Sequence, residues 1–256
     1  MDRSLVFKAD LSTDYADYTD YRDRKNRKLE TRNRYKVQPN CSHTTSVMGL
    51  YSKHIFPRIL DWSLGTQLIR NERKTALECL TGHVLEIGFG TGLNLPCYPP
   101  QVTRLTTLDS EEMLRVLVAR RIQDARMPVT QLKIDANGRL PFEDNSFDGV
   151  ATTFTLCSIR DVQSALAEIH RVLAPAGKYV FLEHGRSDEP RVARRQDLLN
   201  PIQQWVACGC NINRPIDQLV RNANLQIQKL NRYCLPSTPR IFGEMYRGVA
   251  CKTWAS

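Results

Sequence analysis

A glycine-rich turn, Gly88-Phe89-Gly90-Thr91-Gly92, follows an apolar run, and three acids stand at telling distances from it: Glu86, Asp109 and Asp135. Residues without side chains let the backbone bend sharply and approach a ligand closely. Glu86 lies inside an otherwise apolar stretch, where a carboxylate is costly unless paired or hydrogen-bonded. It is expected to engage a cationic ligand or local backbone amides. Asp109 and Asp135 each end a predicted strand. An acid at the first of these positions can accept hydrogen bonds from ribose hydroxyls, and one at the second from an adenine amino group. A dinucleotide fingerprint needs a third glycine at position 93, where Leu93 stands, and this argues against a dehydrogenase.

The elements that must position these residues follow from periodicity. Strands are expected at 83–88, 104–109, 130–135, 147–154 and 178–183, with helices between them; Val162, Leu166, Ile169 and Leu173 recur at helical spacing. Upstream, Leu60, Leu64, Leu68 and Ile69 can share one helical face across Gly65, and a second short helix over 71–80 stops at Thr81-Gly82. Downstream, 191–207 reads as a helix interrupted near Pro201, 215–222 as a short helix, and 225–230 and 246–252 as closing strands. Alternation of this kind gives parallel βαβ units, hence an α/β fold with a doubly wound, Rossmann-like sheet carrying helices on both faces. Ligands of such sheets bind beyond the carboxyl ends of the strands, where the three acids fall.

With 256 residues and 41% of them hydrophobic, the chain can bury one large domain. A disordered chain, a collagen-like fibre and a small disulfide scaffold are excluded. No apolar run approaches the roughly 20 residues of a membrane-spanning helix. The N-terminus lacks a secretory h-region and cleavage site, so a cytoplasmic location with reduced thiols is expected. The eight cysteines are scattered, and the closest pair, Cys208 and Cys210, is C-x-C rather than the C-x-x-C of a zinc knuckle; no metal site is expected.

Residues 1–48 hold three Asp-Tyr pairs and a basic run over 22–28 without periodicity. They read as a disordered N-terminal tail, leaving 49–256 as the domain. Such a tail keeps a peripheral membrane contact open. The formal charge of +9 is spread over both parts. Nucleic acid is disfavoured as a partner, because the chain has no Asp/Asn-Pro-Pro-Tyr/Phe motif, no added RNA-binding module and no base-stacking aromatic cluster.

The stretch Val84-Leu-Glu-Ile-Gly-Phe-Gly-Thr-Gly-Leu-Asn94, then Leu108-Asp109, Asp135-Ala136 and Leu140-Pro-Phe-Glu-Asp-Asn-Ser-Phe-Asp148, resembles a class I S-adenosylmethionine-dependent methyltransferase. So does Glu168-Ile-His-Arg-Val-Leu173 with its following turn, although Pro175-Ala176-Gly177 stands where that family usually has Pro-Gly-Gly. The resemblance implies a seven-stranded sheet, mostly parallel, with an antiparallel final strand. It also implies S-adenosylmethionine as cofactor. Gly88, Gly90 and Gly92 would then flank the methionine part, with Glu86 supporting the turn. Asp109 would hold the ribose, and Asp135 with Ala136 the adenine. Thr153 and Leu156 would line the methyl-bearing end.

Methyl transfer from a sulfonium requires an acceptor that is deprotonated, desolvated and aligned behind the methyl group. A thiol, with a pKa near about 8.5, needs only modest activation. The acceptor is expected after strands four and five, where Leu156-Cys157-Ser158, Glu183-His184, Gln196 and Gly209-Cys-Asn-Ile-Asn-Arg214 lie. This set resembles the methyltransferase-like thiol S-methyltransferases, which implies a small, fairly apolar acceptor, with phospholipid N-methyltransferases and quinone-type C-methyltransferases as rival readings. A binding protein without catalysis is a further alternative.

His184 is the candidate base or acceptor-positioning group, its bland alternative being a histidine bonded to Glu183 or to backbone. Cys157 and Ser158 fall at a strand end, where Cys157 suits packing better than nucleophilic attack. Gln196 faces either the crevice or solvent. Cys210, Asn211 and Arg214 suit a polar pocket wall, but Asn211 or Asn213 equally suits a cap for the helix at Pro215. Arg214 suits either an anionic acceptor or a structural carboxylate.

Overall fold

A computed structural model describes residues 51–111 and 113–253, so the expected tail over 1–48 lies outside the described residues. Seven strands form one sheet: β1 (Gly82–Ile87), β2 (Val102–Asp109), β3 (Val129–Lys133), β4 (Phe147–Thr153), β5 (Leu173–His184), β6 (Leu225–Cys234) and β7 (Glu244–Lys252). Their order is β3-β2-β1-β4-β5-β7-β6. The first five run parallel, and β7 pairs antiparallel with both β5 and β6. The expected α/β sheet with its antiparallel closing strand is therefore present.

β1 is flanked by β2 on one side and β4 on the other. The chain thus reverses its winding direction between β1 and β4, and the crevice beyond such a switch point is where open α/β sheets bind ligands. Apolar residues on both faces of the central strands fill two cores. Leu85, Ile87 and Phe147 pack with Leu166 and Ile169 on one face. Val84, Leu105 and Val180 pack with Ile69 and Leu77 on the other. Because side chains alternate along a strand, Glu86 shares the face of Val84.

The helices are α1 (Phe56–Leu64), α2 (Gln67–Leu77), α3 (Arg115–Gln123), α4 (Val162–Val172), α5 (Pro190–Val206), α6 (Ile216–Asn222) and the short α7 (Arg240–Gly243). Three local expectations are corrected. The apolar face drawn across Gly65 belongs to two helices rather than one, since Thr66 is extended and caps α2 by accepting from the Ile69 amide. The second helix accordingly starts at Gln67, not 71. In the third case α5 continues through Pro201 without interruption. Proline costs a helical hydrogen bond, but contacts before and at the adjoining turn hold the axis: Gln196 bonds Ser187, Gly185 and Ile241, and Asn200 bonds Ile212 and Asn211. The Ala174–Gly177 turn is absorbed into β5 as a bulge against β4, where the register slips between Phe147 and Gly149.

Among the described residues, no helix is long and apolar enough to cross a membrane.

Candidate active site

Gly88 ends β1 with φ +78°, and Gly90 and Gly92 follow at +57° and +79°. This left-handed backbone is what glycine permits and other residues resist. The turn is pinned from three sides. Asp109 Oδ2 accepts from the Gly90 amide at 2.7 Å. Thr91 Oγ1 donates to Asp61 on α1 at 2.6 Å. Arg121 on α3 donates both to the Thr91 carbonyl at 2.7 Å and to Asp61 at 2.6 Å. Burial raises the Asp109 carboxyl above its ordinary range, against the pull of the Glu111 and Gly90 amides.

Beneath the turn lies a buried polar network. Among the described residues Glu86 meets no backbone amide; its oxygens accept from Asn94 Nδ2 at 2.8 Å and from the Tyr98 hydroxyl at 2.7 Å. Burial pushes its carboxyl up to about 7, and those two hydrogen bonds work in the opposite direction. Arg73 of α2, only 4% exposed, donates to Asn94 Oδ1 at 2.7 Å and to Thr153 Oγ1 at 2.6 Å, joining α2 to the end of β4. Its guanidinium also lies 5.2 Å from the centre of the Phe154 ring. The Nε of Arg73 is buried without a hydrogen-bond partner.

A crevice of about 2480 Å³ runs over these elements, well beyond the roughly 300–1,000 Å³ of an ordinary ligand pocket. It has room for a nucleoside cofactor and a second molecule. Gly88, Gly90, Asp109, Asp135, Ala136 and Thr153 line it, as expected. So, at the far end, do Cys157, Ser158, His184, Cys210, Asn211 and Arg214. Asp135 stands just past β3, where its Oδ1 accepts from the Asn137 amide at 3.0 Å.

Glu86 lies under the turn, where a residue that supports it was expected. Three expected residues do not reach the wall. Gly92 closes the turn against the Phe89 ring. Leu156 is fully buried in the core beside Ile87 and Leu166, because the chain turns inward directly after β4. Gln196 faces neither crevice nor solvent: it is fully buried, accepts from Ser187 and donates to two carbonyls. Its polarity is spent on tying α5 to the β5–α5 loop.

The far wall is held by backbone contacts. Glu183, buried at the end of β5, accepts from the amides of Thr155 and Leu156. Burial, with the neighbouring Cys157 charge, pushes its carboxyl up to about 8. Asn211 is not a helix cap; its amide and its Nδ2 both donate to the Cys157 carbonyl at 2.9 Å. Asn213 bonds Asp197, and Pro215 caps α6 without a side-chain bond. Among the described residues Arg214 pairs with no carboxylate; Nη1 donates to the carbonyls of Leu156 and Ile159.

Within this frame His184 is bonded neither to Glu183 nor to backbone but sits 3.0 Å from Cys210 Sγ through Nε2. The Cys157 thiol is held well below its ordinary range, chiefly by the Cys210 hydrogen bond and then by His184. The His184 imidazole is raised in turn: burial opposes its charge, and Cys157 outweighs burial. Cys157 is buried, as expected of a strand-end packing residue, and it also lies on the crevice wall.

Arg73, Asn94, Asp61 and Arg121 were missed in the sequence. Arg73 carried a signal, since it occupies the buried stripe of Ile69, Ala76 and Leu77 on α2, where a cation requires a partner. Asp61 and Arg121 carried none, because charges on exposed-looking helices are common.

Residues 85–181 match the model of a methyltransferase domain. Over 168 residues the chain is 29% identical to human thiol S-methyltransferase TMT1A, which covers 62% of this chain and 68% of that protein. It is 29% identical over 172 residues to a phosphatidylethanolamine N-methyltransferase of Cereibacter sphaeroides, covering 66% of this chain and 83% of the relative. A demethylmenaquinone methyltransferase of Thermobifida fusca is 36% identical over 148 residues, covering 57% and 58% respectively. Among solved structures, a methyltransferase from Bacillus halodurans superposes with TM-score 0.60 at 16% identity, covering 72% of this chain and 99% of its own. The 1,6-didemethyltoxoflavin-N1-methyltransferase of Burkholderia thailandensis, solved with S-adenosylhomocysteine, gives 0.50 at 17% identity over 98% of this chain and 94% of its own. The matched domain spans the strands that build the glycine turn and its acids, and the antiparallel β7 completes the same architecture beyond it. The chain carries a methyltransferase domain over residues 85–181 and is an S-adenosylmethionine-dependent methyltransferase, with S-adenosylmethionine as its cofactor.

Proposed function

We propose that the enzyme methylates the sulfur of a small, fairly apolar thiol, and that the crevice divides into a cofactor half over β1–β3 and an acceptor half over the ends of β4 and β5. In the cofactor half, Asp109 holds the ribose, Asp135 and Ala136 the adenine, and Gly88 and Gly90 the methionine chain. Two observations support this fit. A Cβ on Gly90 would meet nothing within 4 Å, so the turn leaves open space where a ligand backbone must pass. The buried Arg73 Nε lacks a partner, which suits the cofactor's carboxylate. When bound, the cofactor supplies an electrophilic methyl group; the protein's task is to orient the acceptor and exclude water.

The observation that carries the acceptor reading is the placement of His184 beside Cys157 and Cys210 on the far wall, while Glu183 spends both oxygens on the Thr155 and Leu156 amides. One imidazole and two soft sulfurs suffice for a thiol and would serve a carbon acid poorly. Ile59 and Trp62, both exposed, line the same crevice and favour an apolar acceptor.

The test is turnover on a panel of alkyl thiols, an ethanolamine lipid and a quinol, with products read by mass spectrometry. Methylated thiols are expected; methylated amine or quinol with silent thiols would reject the thiol and keep the methyltransferase. In the same preparation, Asp109→Ala should weaken cofactor binding by roughly tenfold or more, since one charged hydrogen-bond acceptor and the tether on Gly90 are lost. Calorimetry returning wild-type affinity would sink the ribose assignment.

A further inference from the structure

We propose that Cys157, His184 and Cys210 form a three-ligand zinc site at the acceptor end of the crevice, its open fourth position taking the sulfur of the incoming thiol. Dispersed in the sequence, the three residues arrive from separate segments: Cys157 from the loop after β4, His184 from the last position of β5, and Cys210 from the turn after α5. Their ligand atoms all lie within 4.8 Å of one another, and the closest approach of the imidazole to a sulfur is 3.0 Å. With Zn–S near 2.3 Å and Zn–N near 2.0–2.1 Å, a tetrahedral site puts neighbouring ligand atoms about 3.4–3.8 Å apart. Each pair needs to move by about 1 Å or less to reach that geometry, which side-chain torsions supply without any change in the backbone.

The backbone is already fixed for this purpose. Glu183 clamps the amides just before Cys157, Asn211 binds the Cys157 carbonyl twice, and the Cys210 amide donates to Ala207. Two thiolates and one imidazole are a soft-to-borderline set that favours zinc over magnesium or calcium. A structural zinc site is closed by four protein ligands, whereas a catalytic one keeps a position open. Here three ligands line the crevice, so the open position faces the space where an acceptor must sit. Zinc with three thiolates carries net negative charge, and Arg214, fixed to the carbonyls of Leu156 and Ile159 on either side of the Cys157 loop, is placed to offset it.

The fourth-ligand role rests on the thiol reading; the three-ligand site does not. In the reaction the thiol releases its proton to solvent as its sulfur binds zinc. That sulfur then donates an electron pair to the cofactor's methyl carbon. The bond from this carbon to the sulfonium breaks with its pair going to the cofactor's sulfur, giving the methyl thioether and S-adenosylhomocysteine. A thioether is a poor zinc ligand and leaves, so zinc and protein end unchanged. His184 in this arrangement is a ligand, and no proton passes through it.

The full chain, purified under reductant without chelator and loaded with zinc, should hold one zinc per molecule by elemental mass spectrometry. Its cobalt(II) form should show thiolate-to-cobalt charge-transfer bands. Cys157→Ser, Cys210→Ser and His184→Gln should each weaken zinc by more than about 100-fold, beyond the loss typical of an outer-shell change. Cofactor binding reports whether each variant folds; if a single variant does not, zinc stoichiometry of the wild-type chain still decides. Added alkyl thiol should shift the cobalt bands. Protein that methylates thiols with no bound metal overturns the zinc site and leaves the thiol reading standing. Cobalt bands that ignore a thiol the enzyme methylates overturn the fourth-ligand role, leaving the three-ligand site and the thiol reading. Zinc retained by a Cys157→Ser/Cys210→Ser double variant overturns the site itself.

Discussion

Gly88→Ala is expected to abolish measurable cofactor binding and to destabilise the fold by roughly 2–5 kcal/mol, the sum of left-handed backbone strain and overpacking. The new Cβ would stand 2.1 Å from Thr155 Oγ1 and 2.3 Å from its Cγ2. Thr155 has little freedom to retreat, because its amide is held by Glu183 and its hydroxyl donates to the Thr153 carbonyl at 3.0 Å. The contact also sits at the switch point between β1 and β4, so any adjustment opens the crevice at its centre. Gly90→Ala is the control. Its Cβ meets nothing within 4 Å, although φ is +57°, so stability should fall by only about 1–2 kcal/mol while cofactor affinity still drops. Urea denaturation and calorimetry separate the two. A Gly88→Ala protein with wild-type midpoint and affinity would show that the Gly88–Thr155 packing has been misjudged.

Arg73→Met should weaken cofactor binding by about 10–100-fold, the value of one or two hydrogen bonds to a charged group. It should also cost stability, since Asn94 and Thr153 lose their donor and buried Glu86 loses the nearby cation. Breaking a buried charge cluster costs about 3–5 kcal/mol when the remaining charge cannot neutralise. Glu86, already pushed up to about 7, can take a proton instead and soften the loss. Arg73→Lys is not expected to rescue, because an ammonium lacks the planar fork that spans Asn94 and Thr153. Unchanged affinity in Arg73→Met would remove this residue from the carboxylate subsite, whatever the effect on stability.

The strand–turn pattern that placed Gly88, Asp109 and Asp135 together was legible because each signal is local: apolar runs, glycines after a strand, an acid at a strand end. The strands were legible for the same reason, and their limits shifted only by a few residues. Leu156 and Gln196 were misplaced because one-dimensional spacing does not say which way a loop residue points. After β4 the chain dives into the core, and α5 turns Gln196 inward to satisfy loop carbonyls. The continuity of α5 through Pro201 was illegible too, since proline's local cost is offset by contacts far away in sequence.

Sequence alone determined the α/β class, the glycine turn and the acids at the strand ends beside it, since hydrogen-bonding strands and backbone flexibility follow from neighbouring residues. Only the tertiary structure decided what stands at the far end of the crevice. Cys157, His184 and Cys210 come from three separate segments, and their meeting depends on Glu183, Asn211 and Arg214 gripping loop backbone. The cysteine spacing that argued against a metal measured separation along the chain, whereas a coordination sphere is set by separation in space.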